Sequence, residues 1–332
     1  MNRPLLLILV LLAGCGKAAS NGKAVAPETA PPRPATIMLD WTINSDHGGL
    51  YTAIQRGYFA RNHIAAAPKV PSSSTSQIQL VAAGQANFGI SYETDLLAAR
   101  AQHIPVRSVM CIMQHPLNTV MALKSSGITR PRQLAGKTIG MAGSPSDIPI
   151  VSAVMRHDGA SIKEARMVNV GYNLLPALLS RRVDAVVGVY WTWEAIQARM
   201  KGYPVNVMRV ERWGVPNYCE LVLVASERTI RAQPIFVREV VQSLQQGYAD
   251  AAAHPLAAWT ALHRADAALS RPLVLRSLEL LGPVETDATT VGYQDPRQWE
   301  AYAAWLWANH MISRPVAADV AYTNQFLQPH VR

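Results

Sequence analysis

Cysteine is scarce in this chain, three among 332 residues, too few to build a disulfide scaffold. After Cys15 only Cys111 and Cys219 remain. The expectation for them is two buried thiols behaving as small apolar side chains, with one bridge open to them in an oxidising compartment. Clustered charge is also missing. The net charge is +9, yet Lys and Arg are scattered and the longest purely basic run is Arg181-Arg182. Nucleic-acid binding calls for a basic stripe interleaved with stacking aromatics, so no nucleic-acid partner is expected. Catalytic signatures are equally sparse. There is no His-Glu-x-x-His and no Gly-x-Ser-x-Gly, and His254 and His263 are too far apart for a one-turn metal pair. No nucleophile and base can be paired, so no catalytic residue, no metal site and no cofactor is assigned.

The longest apolar run lies at the start. Arg3 gives a positive charge, residues 5–12 are apolar, and Leu12-Ala13-Gly14-Cys15 supplies a small-residue cleavage site, the layout of a secretory signal. The run falls short of the roughly 20 residues that span a bilayer. Leu-Ala-Gly-Cys resembles the bacterial lipobox, which makes residues 1–15 a lipoprotein signal peptide and Cys15 the lipidated N-terminus of the mature chain. Two acyl chains anchor stably where one binds marginally. Residues 16–35, GKAASNGKAVAPETAPPRPA, are small, polar and proline-rich, the composition of a flexible tether. The expected location is periplasmic, attached to a bacterial membrane through the lipid alone.

The remaining chain is large enough for two lobes. Apolar runs read as strands at residues 36–39, 87–90, 106–113, 120–123, 138–141, 167–170, 185–189 and 221–225, alternating with helical spacings at 50–54, 77–83, 95–101, 149–156, 174–179 and 193–200. Residues 131–134 read as a short helical turn. This is an α/β chain of doubly wound type. From Pro234 the pattern turns helical, at 236–252, 256–263, 273–281 and 299–309. The long apolar strands 106–113 and 221–225 are the best candidates for two crossings between lobes, which sets Cys111 and Cys219 near the hinge.

In doubly wound sheets ligands sit at strand carboxyl ends, against helix N-termini. Three loops qualify, residues 41–49, 92–95 and 140–147. The first joins Trp41, Asn44, His47 and two glycines, an indole to stack on and polar groups to pair with ring edges; equally, Asn44 and Asp46 could cap the next helix. The third carries Gly143 and Ser144 but matches neither the Walker nor the dinucleotide pattern, so polar cradle and plain turn both stand. Tyr190, Trp193 and Glu194 open a helix, where aromatics serve a core as readily as a ligand. Tyr218 and Glu220 precede Leu-Val-Leu-Val, and a carboxylate there is costly to bury unless something pairs with it. An aminopyrimidine amine would pair with it; so would an Arg or solvent.

Ordered along the chain, several stretches carry a family resemblance: Leu39-Asp40-Trp41-Thr42, Gly48-Gly49-Leu50-Tyr51, Gly57-Tyr58-Phe59, Phe88-Gly89-Ile90-Ser91-Tyr92, Leu134-Ala135-Gly136-Lys137-Thr138-Ile139-Gly140, Val183-Asp184-Ala185, Tyr190-Trp191, and Gly214-Val215-Pro216-Asn217-Tyr218-Cys219-Glu220. Across residues 36–310 the chain resembles the bacterial ABC-type binding proteins for thiamine pyrimidine precursors, which are related to the eukaryotic thiamine pyrimidine synthases. The resemblance implies an α/β, two-lobed periplasmic-binding-protein fold (type II) with two hinge crossings, lobe 1 being residues 36–112 plus 225–330 and lobe 2 residues 113–224. It implies a receptor that binds a small aromatic heterocycle of hydroxymethylpyrimidine or formylaminopyrimidine type and delivers it to an ABC permease and its ATPase. It further implies ring contacts from Trp41, Asn44, Tyr92, Tyr190 and Glu220. Departures exist: many relatives have Pro at the Ile43 position and Asn at the Asp46 position. The synthases carry a cofactor-binding lysine where this chain has Ser91 and a histidine where it has Asp95, and without that lysine no Schiff base to pyridoxal phosphate forms there. The alternatives are a pyridoxal-phosphate-dependent synthase-like enzyme, or the same fold binding a sulfonate, nitrate or flavin precursor.

Overall fold

In the computed structural model, residues 31–71, 77–288 and 290–331 are described. Cys15 and most of the expected tether lie outside them. Strand β1 (Arg33–Met38) begins inside the segment expected to be tether. Its proline is tolerated because only β2 (Ile64–Lys69) lies alongside at Pro34, while β3 (Phe88–Ser91) joins β1 only from Ile37.

Between these strands run α1 (Gly48–Gln55) and α2 (Gln77–Ala82); α3 (Glu93–Ala101) leads to β4 (Val106–Cys111). The chain then leaves this sheet and builds a second one. That sheet contains β5 (Asn118–Leu123), β6 (Thr138–Met141), β7 (Arg166–Asn169), β8 (Ala185–Tyr190) and β9 (Val205–Arg209), with α4 (Asp147–His157), α5 (Leu174–Leu179) and α6 (Glu194–Met200) as connections. It returns as β10 (Val222–Ser226) and ends in the helices α7 (Glu227–Ala232), α8 (Pro234–Ala253), α9 (Pro255–Ala265), α10 (Arg271–Thr286) and α11 (Pro296–Ala308).

Both sheets have five strands, in the orders β2-β1-β3-β10-β4 and β7-β6-β8-β5-β9. Within each, one strand runs against its neighbours: β10 against β3 and β4, and β5 against β8 and β9. These are the strands entered straight from a crossing. A parallel neighbour needs a helical crossover to bring the chain back to the same end, and β5 and β10 have none. The architecture is two-lobed α/β.

Strands β2 and β9 are absent from the sequence assignment. Both are edge strands. The Ala-rich, proline-containing IAAAPK of β2 gives little apolar signal, whereas the central β3, β5 and β10 are buried throughout.

The thiol expectation is corrected. Cys111 and Cys219 form a disulfide with Cα atoms 5.8 Å apart, inside the usual range for a bridge. The cause is strand register. Val222 pairs with Cys111 across β10 and β4, and the crossing segments bond side by side through Ile112 N–H to Leu221 C=O (2.7 Å) and Glu220 N–H to Met113 C=O (3.0 Å). Spacing along the sequence carries none of this.

Helix α8 packs on α1 at a glycine pair. A Cβ on Gly247 would stand 2.2 Å from the Gly49 carbonyl oxygen, and one on Gly49 would stand 2.2 Å from the Tyr248 ring. The backbone that looked free for a ligand at Gly48-Gly49 is thus used against α8 and α10.

Candidate functional site

A cleft of about 480 Å³, its open mouth included, lies between the two sheets. One wall comes from the first sheet: Trp41 follows β1, Tyr92 and Thr94 follow β3, and Tyr218 and Glu220 precede β10. The facing wall comes from the second: Asn118 opens β5, Ala142, Ser144, Ser146, Asp147 and Ile150 follow β6, and Gly188 and Tyr190 close β8. The loops after β1, β3, β6 and β8 sit at strand carboxyl ends, as doubly wound sheets require.

Glu220 is 2% exposed. Its Oε2 accepts hydrogen bonds from Leu117 N–H (2.8 Å), Asn118 N–H (3.0 Å) and the Tyr218 hydroxyl (2.9 Å). Its Oε1 has only a 3.4 Å contact from the Tyr190 hydroxyl. Burial pushes the carboxyl up to about 7, against the pull of those donors. No Arg partner and no open solvent satisfies it.

At the other end, Asp147 is 3% exposed and its Oδ2 accepts the Gly143 and Ser144 N–H groups, both at 2.9 Å. Burial raises this carboxyl to about 6. Asp95, at the first turn of α3, is raised to about 7 by burial and then by Asp147; its Oδ2 accepts from Ser144 Oγ at 3.5 Å. Neither Arg nor Lys is among the lining residues.

The sequence-assigned residues divide into two groups. Trp41, Tyr92, Ser144, Tyr190, Tyr218 and Glu220 meet in the cleft. The others build its frame. Asn44 caps the turn at Ser45–His47 through Asp46 N–H (2.7 Å). His47, buried, donates from Nε2 to Asp40 Oδ1 (2.9 Å) and accepts the Asn44 N–H on Nδ1. Asp40 Oδ2 in turn accepts the Tyr92 hydroxyl (3.2 Å), so that chain orients a cleft aromatic. Asp46 is fully buried with neither carboxylate oxygen partnered, and burial and then Asp40 push its carboxyl well above the carboxylate range. Gly143 has φ +93° and turns its N–H to Asp147. Glu194 accepts the Tyr190 N–H (2.8 Å). Trp193 packs on Ala251, Ala258, Leu262 and Leu278, joining the second lobe to helices α8–α10.

Sequence reasoning named the loops that carry Thr94, Ala142, Ser146 and Asp147 without singling those residues out, and missed Asn118, Ile150 and Gly188. For Asp147 a signal existed, since it closes a glycine-bearing loop at a helix start. For Asn118 and Gly188 there was none; Asn118 pairs with Tyr190 in the β5–β8 register, Gly188 falls at its irregularity, and Asn118 Oδ1 reaches the Gly188 N–H (3.2 Å). The lobes touch across the mouth through Trp41 and Tyr172, with ring centroids 3.8 Å apart.

The family described as NMT1/THI5 like matches residues 44–258. The formylaminopyrimidine-binding protein of Halalkalibacterium halodurans is 31% identical over 96% of this chain and 97% of its own length. The 4-amino-5-hydroxymethyl-2-methylpyrimidine phosphate synthase of Aspergillus parasiticus is 26% identical over 68% of each chain. Among solved structures, the alkanesulfonate-binding protein SsuA from Xanthomonas axonopodis pv. citri, bound to MOPS, superposes with a TM-score of 0.72 at 18% identity, covering 89% of this chain and 99% of that one. The fold is that of the periplasmic binding proteins.

Proposed function

The chain belongs to the NMT1/THI5-like family, and from that premise we propose that it is the receptor of an ABC importer, binding an aminopyrimidine precursor of thiamine. The observation that carries this reading is Glu220, a buried carboxylate with one oxygen saturated and the other left with a single long contact in an aromatic cleft. A flat ring stacks between Trp41 of one wall and Tyr190 of the other. Its exocyclic amine donates to Glu220 Oε1, and its ring nitrogens pair with Asn118 and the tyrosine hydroxyls.

The lining favours this ligand class over an anion. A sulfonate or nitrate entering a site with Glu220 and Asp147 and no Arg or Lys would meet like charge without compensation. An enzyme reading lacks support for a related reason: no lysine lines the cleft, so nothing there can hold a carbonyl cofactor as a Schiff base.

Binding couples to closure. A ring contacting both walls favours the state in which the lobes meet, since a ligand shifts an equilibrium by its differential affinity for the two states. The crossing segments 112–117 and 210–221 are the hinge, and the closed form is what the permease and its ATPase recognise. Cys15 carries the lipid and residues 16–32 the tether, holding the receptor on the periplasmic side of a membrane.

Native mass spectrometry of the full chain with an equimolar mixture of 4-amino-5-hydroxymethyl-2-methylpyrimidine, an alkanesulfonate and riboflavin tests the ligand class. A mass shift equal to the pyrimidine is expected; a shift equal to either competitor contradicts the reading. For the anchor, Cys15→Ala should move the protein from the membrane fraction to the soluble one.

A further inference from the structure

A break in the β5–β8 pairing fixes which way one cleft amide points. Thr119 pairs with Val189 and Val120 with Val187, so Gly188 is left over as a bulge on β8, the kind of irregularity that re-aims a side chain beside a site. Gly188 takes φ +80°, and a Cβ on it would stand 3.2 Å from Asp147 Oδ1. Any larger residue is therefore disfavoured twice, by backbone and by space. From the bulge, the Gly188 N–H donates to Asn118 Oδ1 (3.2 Å).

An amide oxygen accepts and an amide nitrogen only donates. With Oδ1 committed to Gly188, what Asn118 has left is Nδ2, which makes no hydrogen bond among the described residues and is not buried. The residue is 8% exposed and lines the cleft. Its backbone N–H donates to Glu220 Oε2 (3.0 Å), which ties this donor to the carboxylate whose Oε1 is left with one long contact. The cleft thus offers an acceptor on Glu220 and a donor on Asn118, held in one frame.

We propose that Asn118 determines specificity as a fixed hydrogen-bond donor, with Gly188 as the residue that positions it, so that the cleft reads an amine together with the neighbouring ring-nitrogen lone pair. The inference rests on the aminopyrimidine reading above and adds the polarity of the edge. The exocyclic amine donates to Glu220 Oε1 while the adjacent ring nitrogen accepts from Asn118 Nδ2. A ring with a carbonyl and a ring N–H at those two places presents the opposite polarity at both and leaves the buried carboxylate and the amide unpaired.

Calorimetry on the full chain compares 4-amino-5-hydroxymethyl-2-methylpyrimidine with 2-amino-4-methylbenzyl alcohol, which keeps the amine, the methyl group and the hydroxymethyl arm and replaces both ring nitrogens by C–H. Wild type should bind the pyrimidine at least ~10-fold tighter, one hydrogen bond plus the cost of an unpaired donor. Asn118→Leu removes the donor at similar volume, and Asn118→Asp keeps an acceptor for the Gly188 N–H; in each the ratio should fall at least about fivefold through weaker pyrimidine binding, a coupling between residue and ring nitrogen. Gly188→Ala should lower the ratio in the same direction, and thermal melts check that each variant is folded. Equal affinity of the wild type for the two probes, or a ratio within about twofold of wild type in a folded Asn118 variant, overturns the proposal while leaving the heterocycle reading intact. An unchanged ratio in folded Gly188→Ala overturns its positioning role, and binding of neither probe by wild type overturns both readings.

Discussion

Replacing Glu220 by Gln changes one atom and removes one charge, and the cost can be worked from its contacts. The carboxylate receives three donors on Oε2 and one distant hydroxyl on Oε1. In the variant the amide oxygen is held where Oε2 was, because Leu117 N–H and Asn118 N–H require an acceptor. The NH₂ then takes the Oε1 position, a donor facing the ligand amine. A hydrogen bond to a charged group contributes about 1.5–3 kcal/mol, so affinity for 4-amino-5-hydroxymethyl-2-methylpyrimidine should fall about 10- to 150-fold. Calorimetry at about pH 8, above the Glu220 value of about 7, compares ionised wild type with the variant. A fold intact by thermal melt with affinity within about twofold of wild type would remove Glu220 from recognition.

Other expectations follow from the frame. The Cys111–Cys219 bridge closes 108 residues at the base of the second lobe, so Cys111→Ala with Cys219→Ala should lower unfolding free energy by up to about 4–5 kcal/mol in urea titrations. Gly247→Ala forces a Cβ onto the Gly49 carbonyl and should cost at least about 1–3 kcal/mol, read as a lower melting temperature. Buried Glu93 gives only Oε2 to a partner, the Cys219 N–H, and burial raises its carboxyl to about 8 from 4.5. The folded state therefore holds a proton that the unfolded state has released, and stability is greatest below about 4.5 and declines as pH rises through about 8. The Glu93 share is on the order of 4 kcal/mol; melting curves from pH ~5 to ~8 should show the decline, and Glu93→Gln should make it shallower, the remainder coming from the other raised carboxyls, Asp95, Asp147 and Glu220.

The sequence made the alternation of strands and helices legible because central strands are continuous apolar runs; β5 and β10 are buried at every position. Strands β2 and β9 escaped because small alanines with Pro68 in one, and Asn206 and Arg209 in the other, leave no such run. In the site, aromatics and Glu220 were recoverable because a large ring or a carboxylate beside an apolar strand asks for an explanation. Asn118 and Gly188 were not, since only the β5–β8 register brings them together. His47 and Trp193 show the converse: chemistry-bearing side chains that the fold spends on orienting Asp40 and on joining the lobes. The disulfide was hidden for the same reason as Asn118, being a consequence of pairing between strands 108 residues apart.

The central claim is that the cleft recognises an aminopyrimidine, and isothermal titration of the full chain with 4-amino-5-hydroxymethyl-2-methylpyrimidine and with an alkanesulfonate tests it most directly. One pyrimidine per chain with micromolar or tighter affinity, and no saturable heat from the sulfonate, is the result expected of a cleft lined by Glu220, Asp147 and four aromatics. Saturable binding of the sulfonate with none of the pyrimidine would contradict it.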